Sequence, residues 1–115
     1  MMLTIDSLRA FGANTDEGVE RCFGNADFYL NLVKKVPCEK SFDKLAEAIE
    51  KKDLDSAFEY AHALKGVLAN LSLTPVLDPV VEITEMLRAR KDEDYSELME
   101  RIMNAKAELT KIAEE

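Results

Sequence analysis

The chain has 115 residues, of which 47% are apolar and 33% charged, and a net charge of −8. That composition suits one folded domain with a single core and excludes a disordered segment. The acidic balance argues against nucleic acid or an anionic membrane as partner, because both would be repelled.

Helix signals follow one another from the start of the chain. Thr4 or Asp6 can cap a short helix carrying Leu8 and Phe11, ended by Gly12. Asn14, Thr15 and Asp16 form a second start, with Val19, Cys22 and Phe23 as an apolar edge before Gly24. Asn25 caps a helix running to about Val36, with Phe28, Leu32, Val33 and Val36 on one face and Pro37 as its stop. From Glu39 to Lys51 the positions Phe42, Leu45, Ala46 and Ile49 again repeat with a helical period. Lys51 and Lys52 put positive charge at that helix's C-terminus, where the dipole favours it.

Asp53 is the expected cap of a central helix from Leu54 to about Ser72. Thr74 and Pro75 open the next helix, with proline in a permitted first-turn position. Pro79 allows a later start capped by Asp78, but Val76, Val80, Ile83 and Leu87 keep their spacing across it, which favours one helix with an irregular first turn. Asp92 to Asp94 open the last helix, where Tyr95, Leu98, Ile102, Ala105, Leu109 and Ile112 make a seam of the kind bundle helices use. Met86, Met99 and Met103 read as core filler. No stretch reads as a strand. The expected fold class is all-α: a single domain over residues 1–115, an antiparallel up-down four-helix bundle with short N-terminal helices packed at one end.

Two cysteines without CxxC spacing, Cys22 and Cys38, are expected as reduced and mostly buried thiols, and with one histidine they are too few to hold zinc, so no metal is expected. No apolar run is long enough to span a bilayer and the N-terminus lacks a signal-peptide pattern, so the expected location is cytoplasmic.

The central helix carries His62, the only histidine in the chain. On a helical wheel Ala57, Ala61, Leu64, Leu68 and Leu71 form a core-facing stripe, widened by Tyr60 and Val67. The centre of that stripe lies roughly 150° from His62, so the imidazole points at water. Lys65 and Gly66 share the outer face, with Phe58, Glu59 and Ala69 just above and below. An imidazole of ordinary pKa is the one neutral nucleophile available near pH 7 and can take a phosphoryl group as an N–P bond. Lys65, one turn away, would offset the acquired charge. Gly66 would keep the surface low enough for another protein's active site to reach the nitrogen, and a glycine in mid-helix otherwise costs about 1 kcal/mol relative to alanine.

The run His62-Ala63-Leu64-Lys65-Gly66, continued by Val67 to Leu71, resembles the histidine-containing phosphotransfer (HPt) domain of two-component phosphorelays. Phe23 to Leu30 resembles the family's lead into its second long segment, and Asp53 to Ala61 its D-x-x-x-x-x-x-x-A approach to the histidine. The likeness covers most of residues 4–110. It implies a four-helix bundle in which His62 is phosphorylated, Lys65 stabilises the phosphoryl group and Gly66 is the small neighbour. It also implies a phosphorelay intermediate without kinase activity of its own. A sensor histidine kinase or a phospho-aspartate receiver domain supplies the group, and an aspartate of a response regulator receives it. The chain departs from the family at Ser72, where glycine is usual.

The glycines fit no GxxxxGK[ST] phosphate loop, so no nucleotide cofactor is expected, and Mg²⁺ is expected only on the partner receiver domain. A lone surface histidine is ordinarily a solvated side chain, Lys65 a solvated charge and Gly66 a close-packing device; it is their spacing together with the flanking likeness that favours the phosphocarrier. Phe58 either dips into the core or, with Glu59 and Ala69, forms a docking patch for a partner. The alternative function is a phosphorylation-independent helical adaptor that binds a receiver domain through the His62 face. Asp55 and Glu59 are expected as solvated carboxylates rather than acid–base partners. Nothing implies an obligate dimer, and a monomer is expected.

Overall fold

The computed structural model describes residues 3–114, and all regular structure in them is helical: α1 (Ile5–Phe11), α2 (Thr15–Arg21), α3 (Ala26–Lys35), a 3-10 turn (Val36–Cys38), α4 (Ser41–Glu50), α5 (Leu54–Asn70), α6 (Thr74–Arg88) and α7 (Ser96–Ala113). The starts are chemical. Thr4 accepts from Ser7 N–H at 3.0 Å while the Ser7 hydroxyl accepts from Thr4 N–H at 2.8 Å, a reciprocal capping box that selects Thr4 over Asp6. Asn14, Asn25 and Asp53 accept from the N–H groups of Glu17, Phe28 and Ser56. Asp94 accepts from Ser96 N–H at the start of α7. α6 has no side-chain cap, and Pro75 in its first turn removes one of the donors that would need one. Pro79 lies buried inside a single continuous α6, as the apolar spacing predicts.

The stops share one geometry. After α2, α4, α5 and α6 the residues Phe23, Lys52, Ser72 and Arg90 adopt left-handed conformations, with φ of 62°, 58°, 53° and 54°. In each case the next N–H reaches back five residues, as from Asp53 to the Ala48 carbonyl at 2.9 Å and from Leu73 to Leu68 at 3.1 Å. These are Schellman endings built without glycine at the position that favours it most. Only α1 uses one there, Gly12 at φ 111°.

Packing then follows the buried stripes. Ala57, Ala61, Leu64, Leu68 and Leu71 of α5 are all 0–3% exposed, and Val76, Val80, Ile83 and Leu87 of α6 are fully buried. α5 lies between α4 and α6, and α6 packs on α7. Cross-helix partners run in opposite order: Asp55 meets Arg90 at 2.7 Å and Lys65 meets Glu85 at 3.8 Å, so α5 and α6 are antiparallel. Glu82 of α6 meets Arg101 of α7 at 3.1 Å, and α7 comes back to α4, where Lys106 Nζ lies 5.4 Å from the centre of the Phe42 ring. No helix of the described residues is long and apolar enough to cross a membrane.

The short N-terminal helices gather where α5 turns into α6. Asn14 N–H donates to the Ser72 carbonyl at 3.0 Å, the Tyr29 hydroxyl donates to the Leu71 carbonyl at 2.9 Å, and the Ser72 hydroxyl donates to Glu17 at 3.0 Å. Burial pushes the Tyr29 hydroxyl up to about 12, so it stays a donor throughout the ordinary pH range. Ser72 thus holds a backbone conformation suited to glycine, and its hydroxyl gains a partner that glycine could not offer.

Several apolar positions differ from the sequence expectation. The buried face of α3 is Tyr29, Val33 and Val36, while Phe28 is 43% exposed and Leu32 only partly covered. The core stripe is therefore one residue out of step at its start. The reason is Gly18: a Cβ there would stand 2.4 Å from the Tyr29 ring, so its absence is what admits that ring. Phe23, expected on an apolar edge with Val19 and Cys22, is 92% exposed because its left-handed turn carries it away from the core. Cys22 is buried but Cys38, at the end of the 3-10 turn, is exposed; both are free thiols. Val67, assigned to the core stripe, is 37% exposed, and Met86, Met99 and Met103 lie at the rim of the core rather than inside it.

The Gly18–Tyr29 contact and the left-handed turn at Lys52 each give a stability prediction. Gly18→Ala forces a methyl into the Tyr29 ring and should destabilise by about 1–3 kcal/mol. Lys52→Gly relieves a left-handed lysine and should stabilise by about 0.5–1 kcal/mol after the unfolded-state entropy of glycine is subtracted. Urea midpoints at unchanged slope measure both, and a Gly18→Ala midpoint equal to wild type would contradict the Tyr29 clamp.

Candidate functional site

Burial of one side of α5 decides what its other side presents. With the Ala57 to Leu71 stripe in the core, His62 is exposed near the middle of the helix. Gly66, one turn on, faces open space: a Cβ built there meets nothing within 4 Å. The close-packing explanation for this glycine is therefore excluded, and the surface beside the imidazole is low.

The two flanks of His62 differ in chemistry. On the α6 side, the Phe58 ring stacks on the imidazole with centroids 5.7 Å apart and planes inclined by 20°. Two guanidinium groups lie over the Phe58 ring, Arg88 at 5.1 Å and Arg90 at 4.9 Å from its centroid. Arg90 is fixed in turn by Asp55 at 2.7 Å and by donation to the Leu87 carbonyl, also at 2.7 Å. Lys65 lies on the same flank, with its side chain 34% exposed and Nζ 3.8 Å from Glu85. Glu85 also pairs with Arg88 at 3.3 Å. Three cations thus gather on this flank, the two arginines behind Phe58, in a chain that is acidic overall.

On the other side, towards α3, lies a shallow groove of about 540 Å³. Leu32, Lys35, Val36 and Glu39 line one wall, and Gly66, Val67, Asn70 and Leu71 the other. Phe28, one turn before Leu32 on α3, extends the exposed apolar surface.

Of the residues singled out in the sequence, His62, Lys65 and Gly66 share one face of α5. Phe58 neither enters the core fully nor stands free, since it is partly buried and sandwiched between His62 and the arginines. Glu59 is exposed, and Ala69 is partly covered. Asp55 serves Arg90 and does not approach as an acid–base partner. Sequence reading missed Glu85, Arg88 and Arg90, because they lie on another helix and its following turn. It also missed the groove, for which exposed Val67 is the surest marker. The only signal for Glu85, Arg88 and Arg90 was their clustering near the end of a helix expected to run antiparallel to α5.

The site can therefore do one thing well. A solvent-facing nitrogen nucleophile with cations on one side and an apolar seat on the other can accept an anionic group delivered by another macromolecule. Comparison with known proteins agrees. The family model described as Hpt domain matches residues 37–115, from the 3-10 turn through α7 and including His62, Lys65 and Gly66. The matched range does not include Phe23 to Leu30. No curated protein and no solved structure is significantly similar to the chain. Because the match takes in well over half of the chain, the protein belongs to the Hpt domain family, whose members carry out histidine phosphotransfer in two-component systems.

Proposed function

We propose that the protein is a phosphorelay intermediate in which His62 takes a phosphoryl group from a phospho-aspartate receiver domain or a sensor histidine kinase and passes it to an aspartate of a response regulator. The observation that carries the reading is the exposed imidazole with Lys65 on one side and open space at Gly66 on the other. The lone pair of the unprotonated ring nitrogen attacks phosphorus, an N–P bond forms, and the P–O bond to the donor aspartate breaks. The aspartate leaves as a carboxylate, and the second ring nitrogen keeps its proton. Return transfer is the same step reversed on another carboxylate.

Each neighbour has a part in this. The Phe58 stack limits the imidazole to one orientation, so that less rotational freedom is lost when the partner docks. Lys65 meets the charge that arrives on the ring. Mg²⁺ and the acidic pocket that binds it belong to the receiver, and this chain needs no cofactor. α4 to α7 serve as an antiparallel up-down four-helix bundle that holds α5 in one azimuth, with α1 to α3 at the end where α5 turns into α6. A monomer in the cytoplasm suffices, since the second half of the active site arrives with the partner.

The docking surface we favour is the groove between α3 and α5. It shifts the contact from Phe58, already occupied by its own arginines, to Val67 and Leu32, while Glu59 and Ala69 remain at the edge of the approach.

Two measurements test this reading. Incubation with a phosphorylated receiver domain should label the protein with an acid-labile, base-stable phosphoryl group, and His62→Gln should abolish it; label that persists in His62→Gln overturns the assignment. Unchanged cellular output after His62→Ala would instead favour an adaptor. Val67→Glu should keep the fold and the rate of chemical phosphorylation by phosphoramidate, yet weaken transfer from the receiver by about tenfold through KM. An unaltered KM places the partner elsewhere.

A further inference from the structure

Among the described residues, Glu85 is the carboxylate that pairs with Lys65. Its two oxygens are divided between two cations: Oε1 lies 3.8 Å from Lys65 Nζ, and Oε2 lies 3.3 Å from Arg88 Nε. At 3.8 Å the contact with Lys65 is an ion pair beyond hydrogen-bond range, with the lysine 34% and the glutamate 55% exposed. It is a weak hold. A phosphoryl group on His62, one turn from Lys65, would carry close to two negative charges against one on Glu85, and would draw the ammonium across. Glu85 would not be stranded by that move, because Arg88 stays paired with it.

We propose that Glu85 is a tuning residue that holds Lys65 in the unphosphorylated protein and surrenders it on phosphorylation, thereby setting how favourable phospho-His62 is relative to the partner's phospho-aspartate. The proposal rests on the phosphocarrier reading of His62. In physical terms every phosphorylation event breaks one existing ion pair before Lys65 makes the next, so part of the stabilisation that Lys65 offers the phosphoryl group is cancelled in advance. A carrier that must give its phosphoryl group away gains from such a loss, because a very stable phosphohistidine would not pass the group on. Glu85 touches neither the imidazole nor the reacting atoms and acts through Lys65 alone.

The experiment is a double-mutant cycle on the equilibrium of phosphoryl exchange with a receiver domain, read as the ratio of phospho-His62 to phospho-aspartate at fixed totals. Glu85→Gln removes the charge, keeps the shape and should raise that ratio about two- to fivefold, the range expected for losing an exposed ion pair. In a Lys65→Ala background the same substitution should leave the ratio unchanged. No change or a fall in the Glu85→Gln ratio overturns the proposal. An equal rise in both backgrounds also overturns it, since Glu85 would then act on the phosphoryl group by direct repulsion. A structural role for Glu85 would move the thermal midpoint and not this ratio. Failure of the wild type to take label, or label surviving His62→Gln, removes instead the phosphocarrier reading on which the proposal rests.

Discussion

The alanines and leucines of α5 occupy the inner side of a helix that has α4 against it on one side and α6 on the other, and the azimuth of that helix is the constraint from which the site follows. Burying a leucine contributes about 1.5–3 kcal/mol, and Leu64, Leu68 and Leu71 are all within 3% of complete burial. Turning α5 by even one residue's worth of rotation would expose them, at a cost no surface interaction near His62 could offset. A side chain opposite the stripe is therefore held outward by the core. His62 needs no loop to present it and no local strain to keep it exposed.

What surrounds His62 is asymmetric, and the asymmetry divides the work. The α6 flank is ionic, with Lys65, Arg88 and Arg90 interleaved with Asp55 and Glu85 and the Phe58 ring between them. The α3 flank is an open groove with Val67 exposed along it. In the proposed phosphocarrier, charge that develops on the imidazole would be met on one side, and a partner would find apolar surface on the other. The net charge of −8 makes the local concentration of cations more telling, because the chain as a whole places acidic residues on its surface.

The first 36 residues lie outside the family match, yet they are not an appendage. Tyr29 ties α3 to the last carbonyls of α5, Asn14 and Glu17 of the α2 region hold Ser72, and Leu32 with Lys35 forms the outer wall of the groove. Ser72 explains itself here. Where glycine would enter the left-handed turn without strain, serine accepts about 1 kcal/mol of backbone cost and returns a hydrogen bond to Glu17 across the packed end. The turn after α5 is thereby linked to helices far away in sequence, and the departure from the family pattern leaves His62, ten residues earlier on the helix, undisturbed.

Much of this was legible in the sequence, because helices announce themselves through local rules. Cap residues such as Thr4, Asn25 and Asp53 act on N–H groups three residues away, and a 3–4 repeat of apolar residues assigns an inner face without knowledge of any neighbour. Those rules sufficed for the all-α class, for the α6 and α7 stripes and the α5 stripe apart from Val67, and for the outward placement of His62, Lys65 and Gly66. They could not tell that Tyr29, and not Phe28 and Leu32, shares the inner face of α3 with Val33 and Val36, since both choices keep a helical spacing. That choice was made by Gly18 and the Leu71 carbonyl, one supplying space and the other an acceptor, from segments on either side in the chain. Nor could they show that Lys65 is paired, that Phe58 is sandwiched, or that Val67 borders a groove. Periodicity describes one helix at a time, whereas ion pairs, stacks and grooves belong to the space between two, and only the tertiary structure decides which residues face each other there.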